Sequence, residues 1–393
     1  MTRNLISLLF GLFFLFPSLS IAQDGAPSKW EVNGYIKFLQ LTTFSQGPAF
    51  PLTNNFFHHR LNLAYYPNDN WTFAVEARNR LFYGEQLKLD PTYGRTIDQP
   101  MGLFDFSVRW VDNKNILLHS IVDRAYVNYS KNNWDVRLGR QRINWGLNTV
   151  WNPNDLFNAL NFLDFDYEER PGNDAIRVQY FTGIASSVEI AYSPSDSATG
   201  HIAAALGKFN AGGYDFQTLV GLYQGEIAFG GGWQGNIKGA GFQGEGTYFI
   251  PIEDFSTDSV NSFSFSASSD YLFSNGVYGL LGFLYNSNGN RGTGVLPNGG
   301  LITGQPSAKN LFPSPWAFFG SAAGNFSPLF SGNLAVIFAT ENKLTAVVPT
   351  FTFSIKENWD LNLIGQSFFL QNPLDKQFVH AASSVFIRVK WSY

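Results

Sequence analysis

Three guanidinium groups, those of Arg137, Arg140 and Arg142, fall inside one short stretch, "VRLGRQRINWG", of a chain in which 14% of residues are charged. A guanidinium kept from bulk water either pairs with a carboxylate or sets up a field that draws anions. The remaining arginines are spread unevenly. Arg60, Arg78, Arg80, Arg95, Arg109, Arg124, Arg170 and Arg177 also lie before residue 178, and only Arg291 and Arg388 follow it. Glu76, Asp123, Asp135 and Glu189 are the carboxylates placed to answer them. Two readings therefore stand together: a wall that favours anions, or cross-strand ladders that hold the wall in place.

Other chemistry finds little support. Hydrolysis needs a nucleophile beside a base. The histidines are His58, His59, His119, His201 and His380. Ser384 shares a strand face with His380, but four residues along a strand span about 13 Å. His58 and His59, adjacent on a strand, point to opposite faces and make no metal pair. No Gly-rich phosphate loop, HExxH or nucleophile elbow occurs. Asp164, Asp166 and Glu168 are of calcium-ligand type but lack the glycine-turned loop of an EF-hand. The reading is a non-enzyme without metal or cofactor. A net charge of −4 argues against a general nucleic-acid binder, since no basic excess exists to neutralise phosphates. With Cys 0, there is no disulfide, no cysteine metal site and no lipid attachment point.

The elements that must hold these side chains repeat with period two. In "WTFAVEARNRLFY", Trp71, Phe73, Val75, Ala77 and Leu81 share one face, and Thr72, Ala74, Glu76, Arg78 and Arg80 the other. "ASSVEIAYS", "SFSFSASSDYLF" and "SSVFIRVKWSY" alternate in the same way. One greasy and one wet face mark a half-buried strand. The runs are long enough for membrane strands, which need about 9–11 residues. Short polar turns such as "YPNDNW", "SKNNW", "FSNGV" and "KENWD" alternate with longer segments at 84–118, 147–172, 286–315 and 371–377. Short turns at one rim and long loops at the other predict an all-β, closed, up-and-down antiparallel transmembrane barrel of about 18 strands, with 16 as the alternative. The Gly-rich "AFGGGWQGNIKGAGFQGEGTYF" predicts a tightly curved or closely approached wall. Trp71, Trp134, Trp359 and Tyr66 at the short turns predict an aromatic girdle against the bilayer.

Residues 1–22 read as a cleaved signal peptide: Arg3, then the apolar "LISLLFGLFFLF", then small residues up to Ala22. Residues 23–393 are then one outer-membrane barrel domain. Its terminal strand, ending at Tyr393, predicts recognition by the barrel-insertion machinery. Alternation begins at Trp30, which leaves no room for a plug domain or an N-terminal hatch.

In a closed barrel, charge on the lipid side costs about 2–4 kcal/mol at the midplane. Arg60, Glu76, Arg78, Arg80, Arg124, Arg177 and Glu189 are therefore expected to line the lumen. Strict alternation puts Arg137 inward with them but turns Arg140 and Arg142 outward. Either a bulge near Gly139 flips the parity and brings both inside, which is preferred, or the strand has left the membrane core by that point. The opposite wall offers small neutral groups: Ser262, Ser264, Ser266, Thr350, Thr352, Ser354 and Gln366. In "WNPNDLFNALNF", Pro153 and then Asn154 or Asp155 as N-cap predict a helical turn. "LDFDYEER" follows, with Asp164, Asp166, Glu168, Glu169 and Arg170. This segment is read as a constriction loop folded into the pore, with a surface loop as the alternative.

"LGRQRINWGLNTVWNPNDLFNALN" resembles the GRQ…WG…NPxD strand and loop of outer-membrane porins of the alginate-export type. "ALGKFNAGGYDFQTLVGLYQGEIAFGGGWQGNIKGAGFQGEGTYF" resembles their paired strands. The likeness is clearest from Arg124 to Phe249. It implies a barrel of about eighteen strands and, at Arg137, Arg140 and Arg142, an arginine-lined pore for a polyanion. This chain departs from that pattern in having almost no arginine on the far wall. The expected function is passive or weakly selective diffusion of small hydrophilic, anionic solutes across the outer membrane. A structural or adhesive barrel with a charge-filled lumen, and an exporter of an anionic polysaccharide, are the alternatives.

Overall fold

Strands with one apolar face cannot lie separately in lipid, because each edge would leave backbone N–H and C=O groups unpaired; the sheet must close. The computed structural model describes residues 28–45, 51–98, 102–159, 172–197, 199–252, 260–289, 307–372 and 375–393. The predicted signal peptide lies outside them. Among the described residues the strands are β1 (Trp30–Ser45), β2 (Leu52–Asn68), β3 (Trp71–Gly84), β4 (Ser107–Asp112), β5 (Ile116–Lys131), β6 (Trp134–Gln141), β7 (Asn173–Gly183), β8 (Ser186–Ser193), β9 (Ile202–Ala211), β10 (Tyr214–Tyr223), β11 (Glu226–Ile237), β12 (Ala240–Pro251), β13 (Ser262–Leu272), β14 (Tyr278–Asn286), β15 (Trp316–Ser327), β16 (Phe330–Ala339), β17 (Thr345–Lys356), β18 (Trp359–Gln371) and β19 (Phe378–Ser392). All pair antiparallel in one sheet, and β19 returns to β1, from Tyr35↔Ser392 to Ser45↔Ala382. Eighteen strands close the barrel.

The short β4 completes the wall. One edge of β5 is taken by β3 along its length; the other pairs with β6 over residues 125–131 and with β4 over residues 117–121. β6 stops at Gln141, where the chain turns inward, and β4 continues the sheet above it. Two short helices, α1 (Glu85–Leu89) and α2 (Tyr93–Ile97), precede β4. Leu87 of α1 is buried against Phe82 and Leu117, with Tyr93 and Ile97 of α2 packed alongside.

The predicted bulge is present but one strand away. Across β3 and β5 the pairs run Glu76↔Arg124, then Ala77↔Val122, so Asp123 is the extra residue. A bulge of this kind turns two successive side chains to one side. Asp123 and Arg124 both reach inward, to Arg78 and Glu76 respectively. Through Gly139 the β5–β6 register is one-to-one, Gly139↔Tyr126 and Arg140↔Ala125, so the expected bulge at Gly139 is corrected. Gly139 does adopt φ +121, and a Cβ there would stand 2.3 Å from the Ala125 carbonyl oxygen. Only glycine fits that approach.

The outer face is apolar between two aromatic belts. At the short-turn rim Trp30 stacks on Tyr65 (4.4 Å), Trp71 meets Tyr129 (4.7 Å), Trp134 meets Tyr180 (4.7 Å) and Trp359 stacks on Trp391 (6.0 Å). At the long-loop rim Tyr285 meets Trp316 (4.7 Å) and Phe369 stacks on Phe378 (6.0 Å). Such pairs contribute about 0.5–1.5 kcal/mol each beyond area burial, and their rings suit headgroup depth. Outward side chains between the belts, such as Leu138, Val188 and Ile190, are exposed. Two-residue turns at Gly212–Gly213 and Lys238–Gly239 have positive φ at both positions, as tight hairpins require.

Candidate functional site

The inner wall from β1 to β7 carries the charges, in rows set by strand register. Asn62, Glu76 and Arg124 form one row. Tyr35, Arg60 and Arg78 form the next. Lys390, Lys37, His58, Arg80 and His119 form the one above. Asp123 reaches both Arg60 (2.8 Å) and Arg78 (2.6 Å), and Arg60 also pairs with Glu76. Arg124 Nε lies 3.5 Å from Glu76. Arg60 and Asp123 are each 1% exposed, so this pairing is shielded from water. An arginine has no acceptor, so the 3.0 Å contact from Arg80 Nη2 makes His119 Nδ1 the acceptor. His119 Nε2 then carries the proton and donates to Asp98 (3.0 Å). Arg60, Glu76, Arg78, Arg80 and Arg124 thus sit together.

Arg137 and Arg177 form a second group, directly opposite one another in the β6–β7 register. Arg137 Nε donates to Asn128 Oδ1 (2.8 Å), and its guanidinium lies over the Tyr126 ring at 4.4 Å. Arg177 Nη2 donates to Asp135 Oδ1 (2.5 Å), while Asp135 Oδ2 accepts from Asn128 (2.9 Å) and from Ser130. Arg140 is placed differently. Its guanidinium forks onto Asp174 (2.9 and 2.8 Å), bonds the Phe104 carbonyl and lies over Phe106 at 4.5 Å. Arg142 follows the end of β6, where the chain leaves the wall. Three neighbours in sequence therefore have three different settings.

Glu189 faces inward but meets no arginine among the described residues; it accepts a 2.6 Å bond from Trp145 Nε1. Trp145 belongs to residues 143–158, which run inside the barrel against the inner faces of β8 to β15. The segment's polar groups are met by the wall. Leu147 N donates to Glu245 Oε2 (2.6 Å), and Gln217 donates to the Trp145 carbonyl (2.7 Å). Asn148 exchanges bonds with Ser266 (2.5 Å) and Ser268 (2.7 Å). Thr247 donates to the Pro153 carbonyl (2.9 Å), and Ser266 to that of Trp151 (2.8 Å). Its apolar side chains complete the seat. Trp145 packs on Phe157 at 5.1 Å, and Trp151 on Phe312 at 6.0 Å. Small inward residues, Ala175, Ala191, Ala204 and Ala228, make room. Gly232 does the same: a Cβ there would stand 2.9 Å from Leu147. The closely approached wall expected from the glycine run is this contact.

The predicted helical turn at 154 does not form; Asp155 N bonds the Asn152 carbonyl (3.1 Å) in a hydrogen-bonded turn. Asp155 is fully buried. Asp164, Asp166, Glu168, Glu169 and Arg170 lie outside the described residues. A second inward segment, residues 307–314, contributes Leu311 and Phe312 to the same apolar lining, and Lys309 bonds Glu226 at 2.7 Å. Ser264 and Ser266, expected to face an open pore, instead hold these two segments.

Sequence reasoning missed Glu226, Glu245, Lys37 and Lys390. Glu245 alternates with Gln243 and Thr247, so its parity was available as a signal. Lys37 and Lys390 face the Tyr35 ring from 5.2 and 4.6 Å. His58 approaches the Tyr35 hydroxyl (3.4 Å) and His59 the Tyr393 hydroxyl (3.0 Å), on opposite faces. His380 bonds Ser383 (2.8 Å) rather than Ser384; a register shift beside Phe369 brings them together. No group of metal-ligating side chains occurs among the described residues.

No family of known proteins matches the chain, and no curated protein matches it. Solved structures do share the fold. OccAB4 of Acinetobacter baumannii is 8% identical with a TM-score of 0.60, covering 94% of this chain and 100% of its own. OccK5 (OpdH) of Pseudomonas aeruginosa is 7% identical with a TM-score of 0.58, covering 93% and 98%. OccAB1 of Acinetobacter baumannii is 8% identical with a TM-score of 0.56, covering 96% and 99%. At this identity the likeness is one of fold. None of the three carries the alginate-export resemblance read from the sequence. A closed barrel with an apolar belt between aromatic girdles belongs in the outer membrane, and the chain is an integral protein of that membrane.

Proposed function

We propose that the chain is an outer-membrane channel for passive diffusion of small hydrophilic solutes, with a preference for anions. The observation that carries this reading is the unequal charge of the inner wall. Arg60, Arg78, Arg80, Arg124, Arg137 and Arg177 share a wall with Glu76, Asp123 and Asp135, and further along it Asp98 meets His119 and Asp174 meets Arg140, so guanidinium groups remain in excess. Lys37 and Lys390 extend the basic side across the β1–β19 seam. Fixed positive charge in a confined aqueous path lowers the barrier for anions and raises it for cations. The docked segment 143–158 narrows the path from the opposite side. The wall there carries Glu189, Glu226 and Glu245, so a polyanion would meet cations on one side only, which weighs against polysaccharide export.

A second reading, a structural barrel with a charge-filled lumen, is favoured by the near-complete burial of Arg60 and Asp123. Reversal potentials in planar bilayers under a salt gradient separate the two. The channel reading requires conductance with a zero-current potential of the sign set by chloride. The cation sign would defeat the preference, and absence of conductance would favour the structural barrel.

A further inference from the structure

We infer that Arg137 and Arg177 form an oxyanion-binding station inside the short-turn mouth of the barrel; as a step in solute passage it rests on the channel reading above. Two like charges directly opposed across a strand pair are unfavourable. Here the pair occupies adjacent strands with one carboxylate between them: Asp135 neutralises Arg177, and its second oxygen is taken by Asn128 and Ser130. Arg137 bonds no carboxylate among the described residues; Asp135, the next inward position on β6, acts on it through charge alone. It is held through Nε by Asn128 and through its flat face by Tyr126. Both contacts leave the terminal Nη1 and Nη2 groups as a fork that meets no hydrogen-bond acceptor among the described residues. Asn128 thus orients both guanidiniums at once: it binds Arg137 directly and Arg177 through Asp135.

A fixed guanidinium fork matches two coplanar oxygens better than a single sphere of charge. The ligand class is therefore an oxyanion, a carboxylate or a phosphate, in preference to a halide. Arg137 lies three residues from Trp134, about 10 Å along the strand from the short-turn rim. Both arginines are partly exposed, so a solute entering from that mouth reaches the pair before the buried network of Arg60 and Asp123.

The test is equilibrium binding to the folded barrel in detergent, which does not depend on conduction. The probes are inorganic phosphate, read by 31P line broadening, and acetate, read by 13C line broadening. Each is titrated with and without chloride at equal ionic strength. The wild type should broaden at least one probe saturably, and the stronger of the two identifies the oxyanion. Arg137→Lys keeps the charge and removes the fork. Asn128→Leu keeps both arginines and releases their orientation. Each should weaken binding about tenfold, the loss of one charge-assisted bond, while Lys131→Gln at the rim should not. Chloride competing as well as the oxyanions, or Asn128→Leu binding like the wild type, would overturn the station. A barrel that conducts without saturable binding defeats the station alone, and one that binds without conducting defeats only the channel.

Discussion

Trp145→Phe removes one hydrogen bond from the docked segment and little else. The indole Nε1 gives its proton to Glu189 at 2.6 Å in a site where Trp145 is 1% exposed. Phenylalanine keeps an aromatic ring against Phe157 but leaves the Glu189 carboxylate buried without its donor. Loss of a bond to a charged group costs about 1.5–3 kcal/mol. The barrel's strand ladders are untouched, so the cost falls on docking of residues 143–158. The undocked population should rise roughly ten- to a hundredfold. Cleavage by chymotrypsin after Trp151, Leu156 or Phe157, all three buried, requires undocking, and the rate is read at these bonds. When opening is fast relative to cleavage, the cleavage rate follows the open population. It should rise by the same factor, with added noise in single-channel current. Replacing Glu189 by Gln in the same chain removes the orphaned charge and should recover much of the loss. Unchanged cleavage in Trp145→Phe, or no recovery in the double variant, would refute the claim that this buried bond holds the loop.

Asp123→Asn removes the carboxylate between Arg60 and Arg78, both buried. Breaking one partner of a buried ion pair costs about 3–5 kcal/mol, so the temperature at which the folded band is lost on SDS gels should fall. An unchanged temperature would show that Glu76 alone suffices for Arg60. The segment from α2 to β4 should loosen in acid. Burial pushes the Asp98 carboxyl up, but hydrogen bonds from Ser107 and His119 and the charge of Arg109 outweigh it and hold it below the usual range. A depressed folded pKa gives anchoring that is complete above the unfolded value and lost as pH falls through the folded one. A spin label at residue 103 should gain mobility below about pH 4, the unfolded aspartate value, whereas in Asp98→Asn it should be mobile at neutral pH as well.

The wall of this barrel was legible because its two faces meet different solvents. Lipid outside and charge pairs inside impose period two on each strand, so the inward parity of Arg60, Glu76, Arg78, Arg80 and Glu189 could be read from local sequence. What that pattern lacks is the backbone event that shifts it. Gly139 is the residue whose type suits a bulge, yet the extra residue is Asp123, and there the bulge lets one carboxylate meet Arg60 and Arg78 together. That reason involves three strands and is invisible in any one of them.

The docked loop was harder still. "INWGLNTVWNPNDLF" carries Trp145, Val150, Trp151, Leu156 and Phe157, a set too apolar for an exposed loop, and that was a usable sign of burial. Its seat is scattered over β8 to β15, from Glu189 and Gln217 to Glu245, Thr247 and Ser266. The glycine run of β11 shows why no single strand reveals it. Gly231 and Gly232 are neighbours with opposite parity, and only an inward-facing glycine can give up its Cβ to a loop inside the barrel. A side chain at Gly232 would meet Leu147 at 2.9 Å, whereas one at Gly231 has the Gln217 carbonyl as its nearest contact, at 3.3 Å. The same residue type, one position apart, thus serves the seat in one case and not in the other: parity says which glycine faces inward, and only the loop that meets it says why a side chain is missing there.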